Sequence, residues 1–372
     1  MKYYIIAGEA SGDLHGSNLI KELLKIDPDA IIRCWGGDKM EAAGAKVVMH
    51  YRDLAFMGFV EVIKNLPAIF KNLKFCKRDI IDFAPDRLIL IDYPGFNLRI
   101  ARWARPLRLK VIFYISPQVW AWKESRVKTI KACVDKMIVI LPFEKAFYKK
   151  WNYDVDYVGH PLVQVIKDFQ ANKPDINIIA AIGSGVVALL PGSRKQEILT
   201  KLPIMLKQAN AFPAFQFIVA KAPGLPNAFY DALLMPYKNV QYVSEQTYLL
   251  LSQSKAALVT SGTATLETAL FGVPQVICYK GSSISYQIAK RLIKIKFIGL
   301  VNLIMDREVV KELIQNDLND KTLEKELASI LYDETRIAEI KKDYLELKKT
   351  LEVGGNASAN AARIIYTMQS LT

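Results

Sequence analysis

Short runs rich in β-branched and aromatic residues alternate with helix-length segments along this chain, and the alternation occurs twice. Residues 3–7, 30–35, 46–49, 87–91, 110–115 and 136–141 read as strands in the first half, and 186–190, 215–220, 240–242, 256–260 and 275–279 in the second. Strands separated by helical segments do not pair as hairpins; they join a parallel sheet through helical crossovers. The run Leu88-Ile89-Leu90-Ile91 has no polar alternation, as a strand covered on both faces requires. A length of 372 residues exceeds what one core usually holds, and the polar, proline-containing stretch 169–175 is where two halves would join. The expectation is α/β: two Rossmann-like domains in tandem, 1–168 and 176–350. The stretch 317–350 is charged and helical in period. Gly354-Gly355 then breaks the pattern, and Asn356 can cap a last helix within 355–370.

Charge narrows the function classes. Fifty Lys and Arg stand against 37 Asp and Glu, a formal charge of +13, so an anionic partner is expected: nucleic acid, a membrane surface or phosphorylated substrates. A hydrophobic share of 51% rules out a largely disordered chain. No uncharged stretch reaches the roughly 20 apolar residues of a spanning helix, and Glu9 comes too early for a secretory signal, so the expected location is the cytoplasm. Cys34, Cys76, Cys133 and Cys278 are scattered, and the only histidines are His15, His50 and His160. Reduced thiols, no metal site and no cofactor are the expectation.

Ligands of open α/β sheets bind beyond the carboxyl ends of the strands, which singles out four places. Gly8-Glu9-Ala10-Ser11-Gly12-Asp13-Leu14-His15-Gly16 follows the first strand; its glycines allow either a close ligand or a tight structural turn, and the spacing is not that of a dinucleotide fingerprint. Asp92, after the fourth strand, can be a general base or a helix cap. Pro191-Gly192-Ser193-Arg194 offers amides, a hydroxyl and a guanidinium to a diphosphate, or is a plain turn. Ser261-Gly262-Thr263-Ala264-Thr265-Leu266-Glu267 combines small residues at a helix start with a carboxylate suited to the two hydroxyls of a ribose.

Two further motifs carry less. Asp154-Val155-Asp156 lies in an alternating run, where same-face polar residues are commonplace, and Gly183-Ser184-Gly185 lacks the flanks of a nucleophile elbow. In 57–78, Phe59, Val62, Ile63, Leu66, Ile69, Phe70 and Leu73 repeat at helical spacing beside Lys64, Lys71, Lys74, Lys77 and Arg78. Such a stripe either lies in a membrane interface or is buried in the core. Basic residues recur at Arg99, Arg102, Arg105, Arg108 and Lys110 and at Lys290, Arg291, Lys294 and Lys296, with no acid between 99 and 110.

Taken in order, Gly8-Glu9-Ala10-Ser11-Gly12-Asp13, Ile91-Asp92-Tyr93-Pro94-Gly95-Phe96-Asn97, Ser116-Pro117-Gln118-Val119-Trp120-Ala121-Trp122, Leu141-Pro142-Phe143-Glu144-Lys145, Val158-Gly159-His160-Pro161, Leu190-Pro191-Gly192-Ser193-Arg194 and Ser261-Gly262-Thr263-Ala264-Thr265-Leu266-Glu267 resemble the motifs of the lipid-A-disaccharide synthases over nearly the whole chain. The resemblance implies a GT-B fold with sheets facing a central cleft, an acceptor and membrane-facing N-terminal domain, a UDP-sugar-binding C-terminal domain and a last helix returning to the first. It implies an inverting glycosyltransferase that condenses UDP-2,3-diacylglucosamine with 2,3-diacylglucosamine 1-phosphate (lipid X) into the β-1,6-linked disaccharide 1-phosphate and UDP, at an anionic inner-membrane surface and without nucleic acid. Asp92 matches the proposed base, with His15 and Glu9 as alternatives; Ser11, Gly12 and Asp13 fall in the glycine loop on the acceptor side. Ser193, Arg194, Gly262, Thr263, Glu267 and Asn302 match the nucleotide side. Gly95 departs from the acid frequent at that position, which removes one rival base. A UDP-sugar 2-epimerase shares the tandem fold and is the rival reading, a basic nucleic-acid-binding protein a weaker one. Oligomeric state is not legible; a homodimer is one option.

Overall fold

The computed structural model describes residues 1–54, 66–176, 184–222, 224–282, 286, 295–352 and 355–368. By its contacts the chain divides into one compact unit, Met1–Pro161 with Glu352–Thr372, and a second, Leu162–Leu351.

The first unit is built on seven parallel strands: β1 (Lys2–Ala7), β2 (Ile31–Gly36), β3 (Lys46–His50), β4 (Arg87–Ile91), β5 (Val111–Tyr114), β6 (Lys136–Val139) and β7 (Asp156–Tyr157). Their order is β3-β2-β1-β4-β5-β6-β7, so the direction of winding reverses between β1 and β4. Both strands are buried almost throughout, because helices cover both faces. Ala7 pairs with Ile91, which makes Gly8 and Asp92 leave the sheet side by side at the switch point.

The second unit repeats the scheme with β8 (Val186–Leu190), β9 (Gln216–Lys221), β10 (Val240–Ser244), β11 (Ala256–Thr260), β12 (Gln275–Tyr279) and β13 (Glu312–Ile314) in the order β10-β9-β8-β11-β12-β13. Here the reversal falls between β8 and β11, and Leu190 pairs with Val259. Pro191 and Thr260 therefore sit level at the second switch point. β7 and β13, two and three residues long, go beyond the sequence reading; neither is long enough to display a period. The charged stretch after 317 divides into helices Asp320–Tyr332 and Glu334–Leu351, each started by a side chain: Asn319 Oδ1 accepts from Thr322 N–H at 3.1 Å and Asp333 Oδ1 from Arg336 N–H at 3.0 Å. The helix Pro161–Ala171 goes almost wholly with the second unit, where Phe169 packs on Tyr248 and Phe271 at 5.5 and 5.8 Å.

Asn356 caps the last helix, Ala357–Thr367, by accepting from Ala359 N–H at 3.1 Å. That helix lies against the first, Ala10–Ile26, inside the first unit. The buried Arg87 guanidinium donates to the carbonyls of Ile365 and Met368 at its end, where a cation complements the helix dipole.

The apolar stripe of 57–78 is corrected where it can be seen. Phe59, Val62 and Ile63, and the side chain of Leu66, lie outside the described residues, as do Gly183, Lys290, Arg291, Lys294 and Gly354. In the helix Leu66–Phe83, Leu73, Cys76 and Ile80 follow one inward line and are buried, with Ile69 packed against them. Asp79 on the same side accepts from Tyr4 Oη at 2.6 Å and pairs with Arg33 at 2.9 Å. Of the described stripe residues, Ile69 and Leu73 pack in the core and Phe70, 62% exposed, faces solvent, as do Phe75 and Ile81 elsewhere on the helix. Among the described residues no helix is long and apolar enough to cross a membrane, and no cluster of three metal-ligating side chains occurs. Asp156 of the Asp-x-Asp run pairs instead with Lys136 at 2.6 Å.

Candidate active site

At the switch point of the first unit, Asp92 and Tyr93 both adopt left-handed backbone, with φ of 44° and 48°. Non-glycine residues reach that region at a cost of about 1–3 kcal/mol each and hold it only when their surroundings impose it. Asn97, fully buried in the helix Pro94–Ala104, imposes it here: its Nδ2 donates to the Asp92 carbonyl at 2.8 Å and to that of Ile91 at 3.2 Å. From the other side the Tyr93 ring, stacked on Phe96 at 5.6 Å, lies so close over Gly8 that a Cβ there would stand 2.5 Å from it. Asp92 N–H donates to the Tyr114 carbonyl at 3.3 Å. The turn that carries Asp92 is thus fastened to β1, β4 and β5.

Burial, and then the neighbouring charge of Glu9, push the Asp92 carboxyl up from 3.8 to about 7. Two carboxylates in one partly dry corner do not ionise together cheaply, and the one with less water yields. The outcome is a group that takes up a proton near neutrality, as a general base should. His15 is different. Buried in the first helix near His160, it is lowered by desolvation to about 4, and its Nδ1 has no partner among the described residues. It is neutral at pH 7 but holds a proton far more weakly than Asp92.

The glycine loop is mostly packing. A Cβ on Gly12 would meet Ala7 at 3.1 Å, and one on Gly16 would meet Met40 Sδ at 2.6 Å. Asp13 is buried, and its carboxylate accepts from the backbone N–H groups of Gly37, Met40 and Lys39 at 2.8, 3.1 and 3.2 Å. It fastens the start of the next helical turn. Ser11 is exposed, and Glu9 is half-buried at the helix N-terminus without a capping bond.

The second unit carries two loops at its own switch point. Ser193 and Arg194 are exposed at the N-terminus of the helix Lys195–Ala211, and Arg194 pairs with Glu197 at 3.2 Å. Gly262 begins the helix Thr263–Leu270 at φ 156° and ψ −165°, a backbone region that is essentially glycine's alone, with open space where a Cβ would project. Ser261 Oγ donates to the Ile298 carbonyl at 2.8 Å and Thr263 is exposed. Glu267, half-buried, accepts from Tyr248 Oη at 2.8 Å beside Phe169 and Phe271; burial raises its carboxyl, and the Tyr248 bond works against that rise. Asn302 is fully enclosed. Its Oδ1 accepts from Val309 and Val310 N–H at 2.9 and 3.0 Å, and its Nδ2 donates to the Val310 carbonyl and Glu312 Oε1 at 2.8 and 2.9 Å. With both donors and both lone pairs used, it acts on a ligand only through its neighbours. Glu312 in turn accepts from Ile298 and Gly299 N–H at 2.9 and 3.0 Å.

Tyr93, Asn97, Tyr248 and Glu312 are the parts that sequence reasoning missed as site residues. The first two stand inside a quoted motif, but no spacing reveals that one roofs Gly8 and the other clamps Asp92. Tyr248 and Glu312 meet their partners only through the fold.

Comparison with known proteins matches residues 3–365 to the family model of lipid-A-disaccharide synthetase. A lipid-A-disaccharide synthase of Geobacter metallireducens is 39% identical over 98% of this chain and 96% of its own length. Among solved structures, a glycotransferase of kitacinnamycin aligns with a TM-score of 0.66 at 13% identity, covering 98% of both chains. A UDP-GlcNAc 2-epimerase from Neisseria meningitidis aligns at 0.59 and 15%, also over 98% of both. The fold therefore has two parallel-sheet Rossmann-like units, as in GT-B proteins, and the epimerase shares that fold alone.

Proposed function

The chain belongs to the lipid-A-disaccharide synthase family, a family of glycosyltransferases, and on that footing we propose that Asp92 is the base of the transfer. The substrates of the reading are UDP-2,3-diacylglucosamine as donor and 2,3-diacylglucosamine 1-phosphate as acceptor. Asp92 takes the proton of the acceptor 6-hydroxyl as its oxygen attacks the donor anomeric carbon. The bond to UDP breaks on the opposite face, configuration inverts, and the leaving diphosphate carries the negative charge away. The observation that carries this is the Asp92 carboxyl lifted to about 7 and held in a strained, fully fastened turn. A base matched to the working pH contributes about 10²- to 10⁴-fold.

On the nucleotide side, Ser193 and Arg194 and the N–H groups following Gly262 and Thr263 suit a diphosphate, with the helix dipole adding to the attraction. Glu267, steadied by Tyr248, suits the ribose hydroxyls, and Asn302 with Glu312 holds the neighbouring backbone in place. Attachment to an anionic inner-membrane face belongs to the same reading, supported by the exposed Phe70 beside Lys71 and Lys74 and by the net charge.

The direct test supplies purified protein with both acylated sugars and follows UDP release and product mass. UDP appearing only when the acceptor is present, with a disaccharide monophosphate formed, bears the reading out. A 2-epimer of the UDP-sugar formed without acceptor overturns it.

A further inference from the structure

Arg126 begins the helix Arg126–Cys133 beyond β5, half-buried, with its guanidinium carbon 4.8 Å from the centre of the Trp122 ring. Lys123 Nζ lies 5.7 Å from the same ring, and Trp122 is 48% exposed. Across from them Arg102, on the helix Pro94–Ala104, donates to Thr129 Oγ1 at 2.9 Å. Burial, and then the charge of Arg102, lower the proton affinity of Arg126. Among the described residues none of Arg102, Lys123 and Arg126 joins an ion pair, whereas Arg105, next along the chain, is neutralised by Asp135 at 3.0 Å. Glu124 lies in sequence between Lys123 and Arg126 but pairs with neither. Gathering cations around a half-buried guanidinium with no carboxylate in ion-pair contact among the described residues is unfavourable by itself and becomes favourable when an anion arrives.

The location connects this cluster to the chemistry. The helix bearing Arg102 starts two residues after Asp92. Arg102 lies eight residues along it, about 12 Å by the helical rise, and helical side chains lean back toward the N-terminus. Gly95 and Arg99 are exposed between them, and a Cβ on Gly95 would meet nothing within 4 Å, so among the described residues none covers this face at Gly95.

We propose that Arg126, with Arg102, Lys123 and the face of Trp122, forms the subsite for the phosphate monoester of the acceptor sugar. The proposal rests on the transferase reading above and goes beyond it by assigning the acceptor's charged end. Stacking on the indole leaves the guanidinium edge, which carries the N–H donors, for two phosphate oxygens. Lys123 and Arg102 add two further positive charges facing the dianion. The anomeric carbon and the carbon that bears C6 flank the ring oxygen, so the phosphate and the 6-hydroxyl lie along one edge of the sugar, and holding the phosphate limits where the 6-hydroxyl can reach.

The test compares 2,3-diacylglucosamine 1-phosphate with its dephosphorylated counterpart as acceptors for the wild type, Arg126→Ala, Arg126→Lys and Arg102→Ala. Arg126→Ala should raise KM for the phosphorylated acceptor about 10- to 100-fold with donor KM unchanged, and the preference for the phosphorylated acceptor should collapse. Arg126→Lys should restore part of that preference. A preference unchanged in a variant that melts like the wild type overturns the proposal. Flotation on phosphatidylglycerol–phosphatidylethanolamine vesicles without either sugar separates the other source of phosphate: loss of vesicle binding with the acceptor preference intact makes the cluster a headgroup contact and also overturns it. A wild type that releases no UDP with either acceptor fails the transferase reading instead, and equilibrium binding of the two acceptors then decides the subsite independently.

Discussion

Replacing Gly8 by alanine puts one methyl group where the structure has no room for it. Its Cβ would stand 2.5 Å from Tyr93 Cγ and Cδ1 and 2.8 Å from Cδ2, against an ordinary carbon–carbon separation of about 3.5–4.0 Å. The ring must retreat by about 1 Å, and any such shift disturbs its stacking on Phe96, which is only 4% exposed. Overpacking of this kind costs about 1–3 kcal/mol, which for a unit of this size lowers Tm by about 2–12 °C. The retreat also drags a turn whose two left-handed residues have little freedom to adjust. A displacement of about 1 Å at a reacting group is worth about 10²-fold in rate. Thermal unfolding and UDP-release kinetics measure both effects, and titration with UDP should show unchanged affinity, since the change lies in the first unit. Tyr93→Ala added to Gly8→Ala should recover stability relative to the single variant without recovering turnover. A Gly8→Ala protein with wild-type Tm and wild-type turnover would refute the idea that Tyr93 and Gly8 together position Asp92.

Three further outcomes follow from the same structure. Because Asp92 must be ionised to accept a proton, kcat/KM should rise with pH through about 7; Glu9→Gln removes the like charge that helps hold it there, so this limb should move to lower pH, and a stationary limb would assign it to another group. Asn302→Ala leaves Val309 and Val310 N–H unbonded in the interior, so denaturant unfolding should show a loss of at least about 2 kcal/mol, with less than about 3-fold change in the UDP affinity of the folded protein. Tyr248→Phe removes the bond that keeps Glu267 from rising further, so UDP should bind about 2- to 10-fold more weakly, and more so at pH 6 than at pH 8 by calorimetric titration.

The alternation of strands and helices is legible because each buried strand must be an unbroken apolar run, as in 88–91 and 256–259, and because the crossovers are long enough to show a helical period. The same logic brings Asp92, Gly8, Ser193 and Gly262 to strand ends before any coordinates are considered. It fails where the cause is not local. β7 and β13 are too short to carry a period. The glycines at spacing four allow a ligand cradle or a structural turn, and only their neighbours decide that Gly12 and Gly16 admit β1 and Met40. Leu73 and Phe70 look alike on a helical wheel, and only the position of the sheet decides that one is core and the other solvent-facing. Asp13 and Asn302 read as polar groups available to a ligand; both are committed to backbone amides of segments well separated in sequence from them or brought back by a turn. The cationic cluster at Arg126 unites two separate basic stretches that share no motif.

Turnover of Asp92→Asn, measured as UDP release with both sugars present, tests most directly whether Asp92 is the base. The folded protein binds the Asp92 proton more tightly than the unfolded chain does, at about 7 against 3.8. Stability is therefore lost as pH rises between these values, by at most roughly 4 kcal/mol at 1.36 kcal/mol per pH unit. The neutral amide avoids that loss. At pH 8 the variant should melt no lower than the wild type, bind UDP with the same affinity and turn over about 10²- to 10⁴-fold more slowly. Turnover near the wild-type rate in that well-folded variant would refute Asp92 as the base and move that role to His15 or Glu9.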